Sequence, residues 1–178
     1  MDLSAKKQKA IVAIFCELVK IPSPSGNEQE VIRFIKHYLA KYGIKSYSDN
    51  VGRKIDSNSG NLIAKIGHKK PILLFVAHVD TVEDGKKKIR PIIQKNRITS
   101  DGKSILGSDD KAGVAALLEA LKELRQERSP PTVIAVFAIR EESGVMGVKL
   151  LKLKEKVDFA FDIDGSYSPG KFIHKALG

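Results

Sequence analysis

Four short stretches of this chain set histidine and carboxylate side chains at the boundaries of apolar segments. Ile72-Leu73-Leu74-Phe75-Val76-Ala77 runs into His78-Val79-Asp80, and Val133-Ile134-Ala135-Val136-Phe137-Ala138-Ile139 runs into Arg140-Glu141-Glu142. Phe159-Ala160-Phe161-Asp162-Ile163 runs into Asp164-Gly165, and Gly107-Ser108-Asp109-Asp110-Lys111-Ala112-Gly113 opens a helical pattern. Imidazole and carboxylate are ligands for a divalent cation that assists hydrolysis. A mostly parallel α/β sheet gathers its site outside the carboxyl ends of its strands, where three of these groups fall.

Each motif also has a plainer reading. His78 and Asp80 are two apart, so they share one face while a strand continues. A metal-bound imidazole commonly gives its second N–H to a carboxylate, and Asp80 is placed for that. The same pair also occurs as ordinary surface polarity. Asp109 and Asp110 suit a helix N-terminus through capping and the macrodipole, yet a carboxylate there has two oxygens and can bridge two cations. Glu141 and Glu142 repel each other at the end of a buried run unless a cation lies near; otherwise they are a solvated strand end. Asp164-Gly165 is a turn signal on its own. Asp162 competes with Asp164 for any ligand role, and Asp164 is preferred because it lies nearer the strand's end. Together they place four candidate ligands and one candidate base at the ends of four core elements.

The elements that must hold these groups follow from periodicity. Ile11, Ile14, Phe15, Leu18 and Val19 mark one face of a first helix. Ile21-Pro22-Ser23-Pro24-Ser25-Gly26 breaks it, and Ser25 with Glu28 fits a capping box for a second helix that buries Val31, Ile32, Ile35 and Leu39 and ends near Gly43. Strands are expected at 45–50, 61–67, 71–79 and 132–139. The run at 71–79 suits a strand covered on both faces. A weaker strand at 90–100 reads as a hairpin partner near an edge. A third helix spans 110–126, with Val114, Leu117, Leu118, Leu121 and Leu124 inward. A short helix at 144–153 and a strand at 159–163 follow. Strands alternating with helices imply an α/β fold with a largely parallel sheet.

Composition narrows the class. The 178 residues suffice for one α/β domain, and 42% hydrophobic and 29% charged residues are ordinary for a globular protein. No apolar run reaches the roughly 18–20 residues of a membrane helix. The polar start, Met1 to Lys9, has no signal-peptide core, so a cytoplasmic location is expected. One cysteine, Cys16, rules out an intrachain disulfide, and its place between Phe15 and Leu18 makes it a core or boundary residue. The net charge of +10 raises nucleic-acid binding, but the lysines are scattered, tryptophan is absent and no aromatic-plus-basic patch exists for stacking bases. No nucleic-acid partner and no membrane are expected.

Taken in order, Phe75-Val76-Ala77-His78-Val79-Asp80-Thr81-Val82, Gly107 to Gly113, Arg140-Glu141-Glu142-Ser143-Gly144 and Asp162-Ile163-Asp164-Gly165 resemble the co-catalytic di-zinc exopeptidase and deacylase family. That family includes tripeptide aminopeptidase (peptidase T), acetylornithine deacetylase, succinyl-diaminopimelate desuccinylase and the glutamate carboxypeptidases. The resemblance extends over nearly the whole chain, Ile21 to Glu28 included. Asp164, the Asp109-Asp110-Lys111-Ala112-Gly113 string and Asp164-Gly165 favour the peptidase T branch, since the deacylase branch tends to carry Glu where Asp164 stands.

The resemblance implies a three-layer α/β/α catalytic domain and a role for each site residue. His78 resembles the first ligand of one zinc and Asp80 its orienting carboxylate. Asp109 resembles the bridging carboxylate, joined to Asp110 by a cis peptide. Glu141 resembles the general base, Glu142 a ligand of the second zinc, and Asp164 the remaining carboxylate on the His78 zinc. Two Zn2+ are implied, with Co2+ or Mn2+ also suited to such ligands. The reaction implied is amide hydrolysis at the N-terminus of short peptides; a deacylase or carboxypeptidase of the same family is the alternative. The family also has a lid domain that mediates dimers, and a further zinc-ligand histidine beyond it. Residues 1–170 are therefore expected to form the N-terminal portion of the catalytic domain, and 171–178 the start of the connection to the lid. His174 lies where that connection begins and is not assigned the histidine's role. A catalytically incomplete, metal-binding fragment is the corresponding alternative.

Overall fold

The computed structural model describes residues 4–82, 85–165, 171 and 173. Two amphipathic helices open the chain, α1 (Ala5–Val19) and α2 (Gln29–Lys41). Strands β1 (Ser46–Ser48), β2 (Leu62–Ile66) and β3 (Lys69–His78) follow, with a 3-10 turn at Val51–Lys54. Next come a small ribbon of β4 (Ile92–Ile93) and β5 (Ile98–Thr99), then α3 (Lys111–Leu124), β6 (Pro131–Ala138), α4 (Met146–Lys149) and β7 (Phe159–Asp162).

The central sheet has the order β1-β2-β6-β3-β7. β3 runs parallel to β6 and β7, while β2 is antiparallel to both β1 and β6. Only β2 therefore runs against the other four strands. The carboxyl ends of β3, β6 and β7 lie together at one end, where His78, Glu141 and Asp164 emerge. The expected α/β fold with a mostly parallel sheet is the one found.

One face of the sheet carries α1, α2 and α3. Leu18, Val19, Ile35, Leu39, Val114, Leu118 and Leu121 are wholly buried there. Full burial of each such side chain is worth about 1.5–3 kcal/mol. The other face has a smaller cluster of Ile63, Ile134 and Val136, covered by Leu151 and Leu153 after α4. β6 is buried along almost its whole length, but the middle of β3 is only half-buried. The sequence at 71–79 reads as a strand covered on both faces, and among the described residues the second face is covered thinly.

Three local expectations differ from the structure. Residues 90–100 form no strand of the central sheet; β4 and β5 pair only with each other, Ile92 with Thr99 and Ile93 with Ile98. The helix expected over 144–153 shrinks to Met146–Lys149, because Val145 takes a left-handed conformation (φ 59°) and the segment after it turns back onto β2 and β6. The capping box at Ser25 and Glu28 does not form: α2 starts at Gln29, whose N–H is capped by Asn58 Oδ1 at 3.0 Å. Cys16 is a buried core residue, as expected, and burial raises its thiol pKa. No helix among the described residues is long and apolar enough to cross a membrane.

Candidate active site

Strand ends deliver the site. β3 ends at His78, a buried imidazole only 3% exposed, and the chain then turns through Val79, whose N–H donates to Ala138 O. That bond ties the end of β3 to the end of β6 and sets Glu141 and Glu142 beside His78. His78 Nε2 faces outward to a ring of carboxylates: Asp109 Oδ1 at 3.1 Å, Asp164 Oδ2 at 3.8 Å and Glu141 Oε2 at 4.0 Å. Two sets of ligand atoms each lie within 4.8 Å of one another, His78–Glu141–Asp164 and His78–Asp109–Glu142. All five residues singled out from the sequence as ligands or base thus converge. Asp162 ends β7, joins neither set, and accepts the Asp164 N–H at 3.4 Å.

Asp109 and Asp110 divide the two readings between them. Asp110 caps α3, its Oδ1 accepting the Gly113 N–H at 2.9 Å. Asp109 is left exposed and turned to His78. The peptide joining them is cis, as the resemblance implies. A Cβ at Gly113 would lie 2.3 Å from Asp110 Oδ1, so any side chain there would displace the capping carboxylate.

Asp80 does more than orient His78. The nearest acceptor to His78 Nδ1 is the backbone carbonyl of Asp80 at 3.0 Å; the Asp80 carboxylate stands off at 3.6 Å. That fully buried carboxylate instead accepts the N–H of Glu141 (2.9 Å), the N–H of Glu142 (3.2 Å) and the hydroxyl of Ser25 (2.5 Å). One residue therefore aligns the imidazole through its backbone and the Glu141-Glu142 turn through its side chain. Ser25 escaped the sequence reading because the local capping signal explained it.

The segment from Ile21 to Glu28 backs the site. Lys111, wholly buried, donates to Ile21 O at 2.7 Å, and Ser23 donates to Val79 O at 2.8 Å. Thr81 N–H donates to Ser23 O. These bonds lash the first loop to the turns that carry Asp80 and Asp109.

The electrostatics are those of crowded negative charge. Burial opposes charging His78, but Asp80, with Asp110 and Asp109, outweighs it and lifts the imidazole pKa to about 10. Burial, with Asp164 and Asp109 nearby, raises Asp110 to about 7 against the pull of His78. Glu141, Glu142 and Asp164 are also raised, in each case first by burial and then by neighbouring carboxylates. Burial opposes charging Asp80, but the adjacent His78 imidazole, the Ser25 hydroxyl and the Glu141 N–H outweigh it, so among these site carboxylates Asp80 is the one lowered. Asp110 Oδ2 is buried without a hydrogen-bond partner. This end of the sheet thus holds more negative charge than its donors neutralise, and its oxygen and imidazole donors suit one or two divalent cations. A hollow of about 350 Å³ lined by Asp109, Asp110, Asp164 and Gly165 opens beside it. His174 lies outside the described residues.

Known proteins similar to this chain include peptidases and a desuccinylase. Residues 90–172 match the family of M42 glutamyl aminopeptidases. The uncharacterized protein YqjE of Bacillus subtilis is 32% identical over 164 residues, covering 89% of this chain and 44% of the relative. A probable succinyl-diaminopimelate desuccinylase of Staphylococcus epidermidis is 28% identical, over 79% of this chain and 35% of its own. Among solved structures, the tripeptidase of Staphylococcus aureus Mu50 superposes with a TM-score of 0.82 at 32% identity, covering 90% of this chain and 44% of that one. Aminopeptidase PepT of Bacillus cereus superposes with a TM-score of 0.81 at 31% identity, over 89% and 43%. The chain spans less than half the length of each of these proteins. Sequence similarity and fold thus liken the chain to peptidases that include peptidase T of Fusobacterium nucleatum and aminopeptidase PepT of Bacillus cereus.

Proposed function

We propose that this chain carries a two-zinc hydrolytic centre that cleaves the N-terminal peptide bond of short peptides. The observation that carries the reading is the convergence of two ligand sets on His78, Glu141 being a member of one of them. In this reading His78 and Asp164 would hold one ion, Glu142 the second, and Asp109 would serve both. Co2+ or Mn2+ suits the same donors. When bound, the ions supply Lewis acidity: they acidify water and polarise the scissile carbonyl.

The chain's own residues then do two things. Asp80, through its backbone carbonyl and its carboxylate, keeps His78 and the Glu141-Glu142 turn in register. Glu141, whose pKa is raised by burial and by Asp164, accepts the proton of the attacking water and passes it to the leaving amine. In this reading residues 1–170 are the N-terminal portion of the catalytic domain and 171–178 the start of the connection to a lid region, which in the full-length protein would mediate dimers.

A deacylase or carboxypeptidase activity is the second reading, supported by the similarity to a desuccinylase. The test is metal content per chain after zinc reconstitution, with hydrolysis of a tripeptide and of an N-acetyl amino acid assayed on the same sample. Two ions with tripeptide turnover support the aminopeptidase reading. Turnover of the acyl substrate alone supports the second. Tight zinc binding with neither activity makes the chain a metal-binding module.

A further inference from the structure

The turn carrying Glu141 and Glu142 is held by two buried carboxylates, and one of them comes from an unexpected place. Three consecutive N–H groups point inward from this turn. Those of Glu141 and Glu142 donate to Asp80. That of Arg140 donates to Glu28 Oε1 at 3.2 Å, across 112 residues of sequence. Glu28 is wholly buried and fully engaged: Oε1 also accepts the Gly26 N–H at 2.7 Å, and Oε2 accepts the Ser57 hydroxyl at 2.7 Å.

Among these partners the Gly26 N–H is the one local to this carboxylate, and a single neutral donor does not require a buried charge. Asn58 already caps α2, and burying a charged group is costly unless its oxygens are satisfied. What Glu28 holds is a strained residue. Arg140 sits at φ 51°, a left-handed conformation that a non-glycine residue adopts only at a cost. Its guanidinium is tied down by Ile55 O and Asp56 O through Nη1 and by Ser143 through Nε. The conformation of Arg140 sets the direction in which the chain leaves β6, and therefore where Glu141 and Glu142 point.

We infer that Glu28 is a positioning residue for the Glu141-Glu142 turn: by clasping the Arg140 N–H it aims the base and the second-ion ligand at His78. The functional consequence rests on the hydrolytic reading above; the positioning itself does not.

Three substitutions separate acceptor geometry from mere burial. Glu28→Gln keeps an oxygen for the two N–H groups, and its amide can donate to Ser57. Glu28→Asp keeps the charge but shortens the reach, and Glu28→Ala removes the acceptor. On the full chain without added metal, hydrogen exchange at the Arg140 amide should quicken at least tenfold in Glu28→Asp and Glu28→Ala and stay within threefold in Glu28→Gln. In zinc titrations the weaker of two binding steps should lose about 10–100-fold affinity in the same two variants, in the range typical for loss of a partner behind a ligand. With peptide substrate, kcat should fall by a similar factor at saturating zinc while KM stays within threefold. Circular dichroism shows which variants fold; should Glu28→Ala fail, Glu28→Asp decides. Glu28→Asp with wild-type amide exchange overturns the positioning role, as does Glu28→Gln matching Glu28→Asp in its losses. Wild-type chain that binds zinc without hydrolysis overturns the functional reading while the exchange arm still tests Glu28.

Discussion

The two ends of the central sheet each hold a hollow of about 350 Å³, and they are wired in opposite ways. At the amino ends of β1, β3 and β6 the walls carry Lys45, Lys65, His68, Arg125 and Arg128, all exposed. Their ties are loose: Lys65 pairs with Glu155 at 2.8 Å on the surface, and Arg125 Nε reaches Gly43 O at 3.5 Å. At the carboxyl ends the charged groups are backed by buried ones. His78, Asp80, Asp110, Lys111 and Glu28 are all 5% exposed or less, and among them they fix the loops at 21–28, 78–81, 109–111 and 140–142. Volume does not distinguish a site from a dent. Buried polar side chains do, because each must be satisfied by a specific partner and so fixes geometry that solvent-exposed charges leave loose.

Substitutions can break this contrast at its strongest point first. Glu141→Gln should lower peptide hydrolysis by about 10²–10⁴-fold, the usual weight of a general base, with zinc content unchanged. Asp109→Asn should act the other way round and cut zinc affinity by more than the ~10–100-fold that an outer partner costs. Activity and elemental zinc measured on both variants decide the roles; equal activity in Glu141→Gln and wild type removes the proposed base.

A smaller effect should appear in the pH dependence of stability without added metal. Asp110 has a folded pKa of about 7 against an ordinary 3.8, so it favours the fold at low pH and loses that contribution as pH rises through 7. His78, raised from 6.5 to about 10, stabilises fully below 6.5 and progressively less above it. Both signs agree between pH 5 and 8, so the melting temperature should fall by a few degrees over that window. Zinc should flatten the slope, because a cation replaces the bound protons; the same slope with saturating zinc counts against a cation at this end. The smallest effect is expected at the other end. Arg128→Ala or Lys45→Ala should change stability by no more than about 0.5 kcal/mol and leave kcat/KM as it was.

Much of the site was legible because its residues sit where apolar runs stop. His78, Glu141 and Asp164 follow β3, β6 and β7, and a parallel arrangement brings such ends together whatever the details of packing. Asp109 and Asp110 were legible as a pair, but their division of labour was not: which of two adjacent carboxylates caps α3 depends on the path of the chain around Gly113. Ser25 and Glu28 were misread for a different reason. A local capping pattern accounted for both, while their hydroxyl and carboxylate were drawn to Asp80 and Arg140, 55 and 112 residues away. Long-range partners leave no spacing to read.

The same division runs through the fold. Periodicity and the order of elements were sufficient for the helices at α1, α2 and α3, the strands at β2, β3 and β6, and the α/β class, because the hydrophobic pattern of a segment is a property of that segment alone. Only the tertiary structure decided that β6 lies between β2 and β3, that residues 90–100 pair with themselves, and that the middle of β3 is half-buried. It also decided that the Glu141-Glu142 turn is clasped from behind by Asp80 and Glu28. Those outcomes depend on which surfaces and which buried polar groups find each other once the chain has closed, and that competition is settled by contacts between residues far apart in sequence.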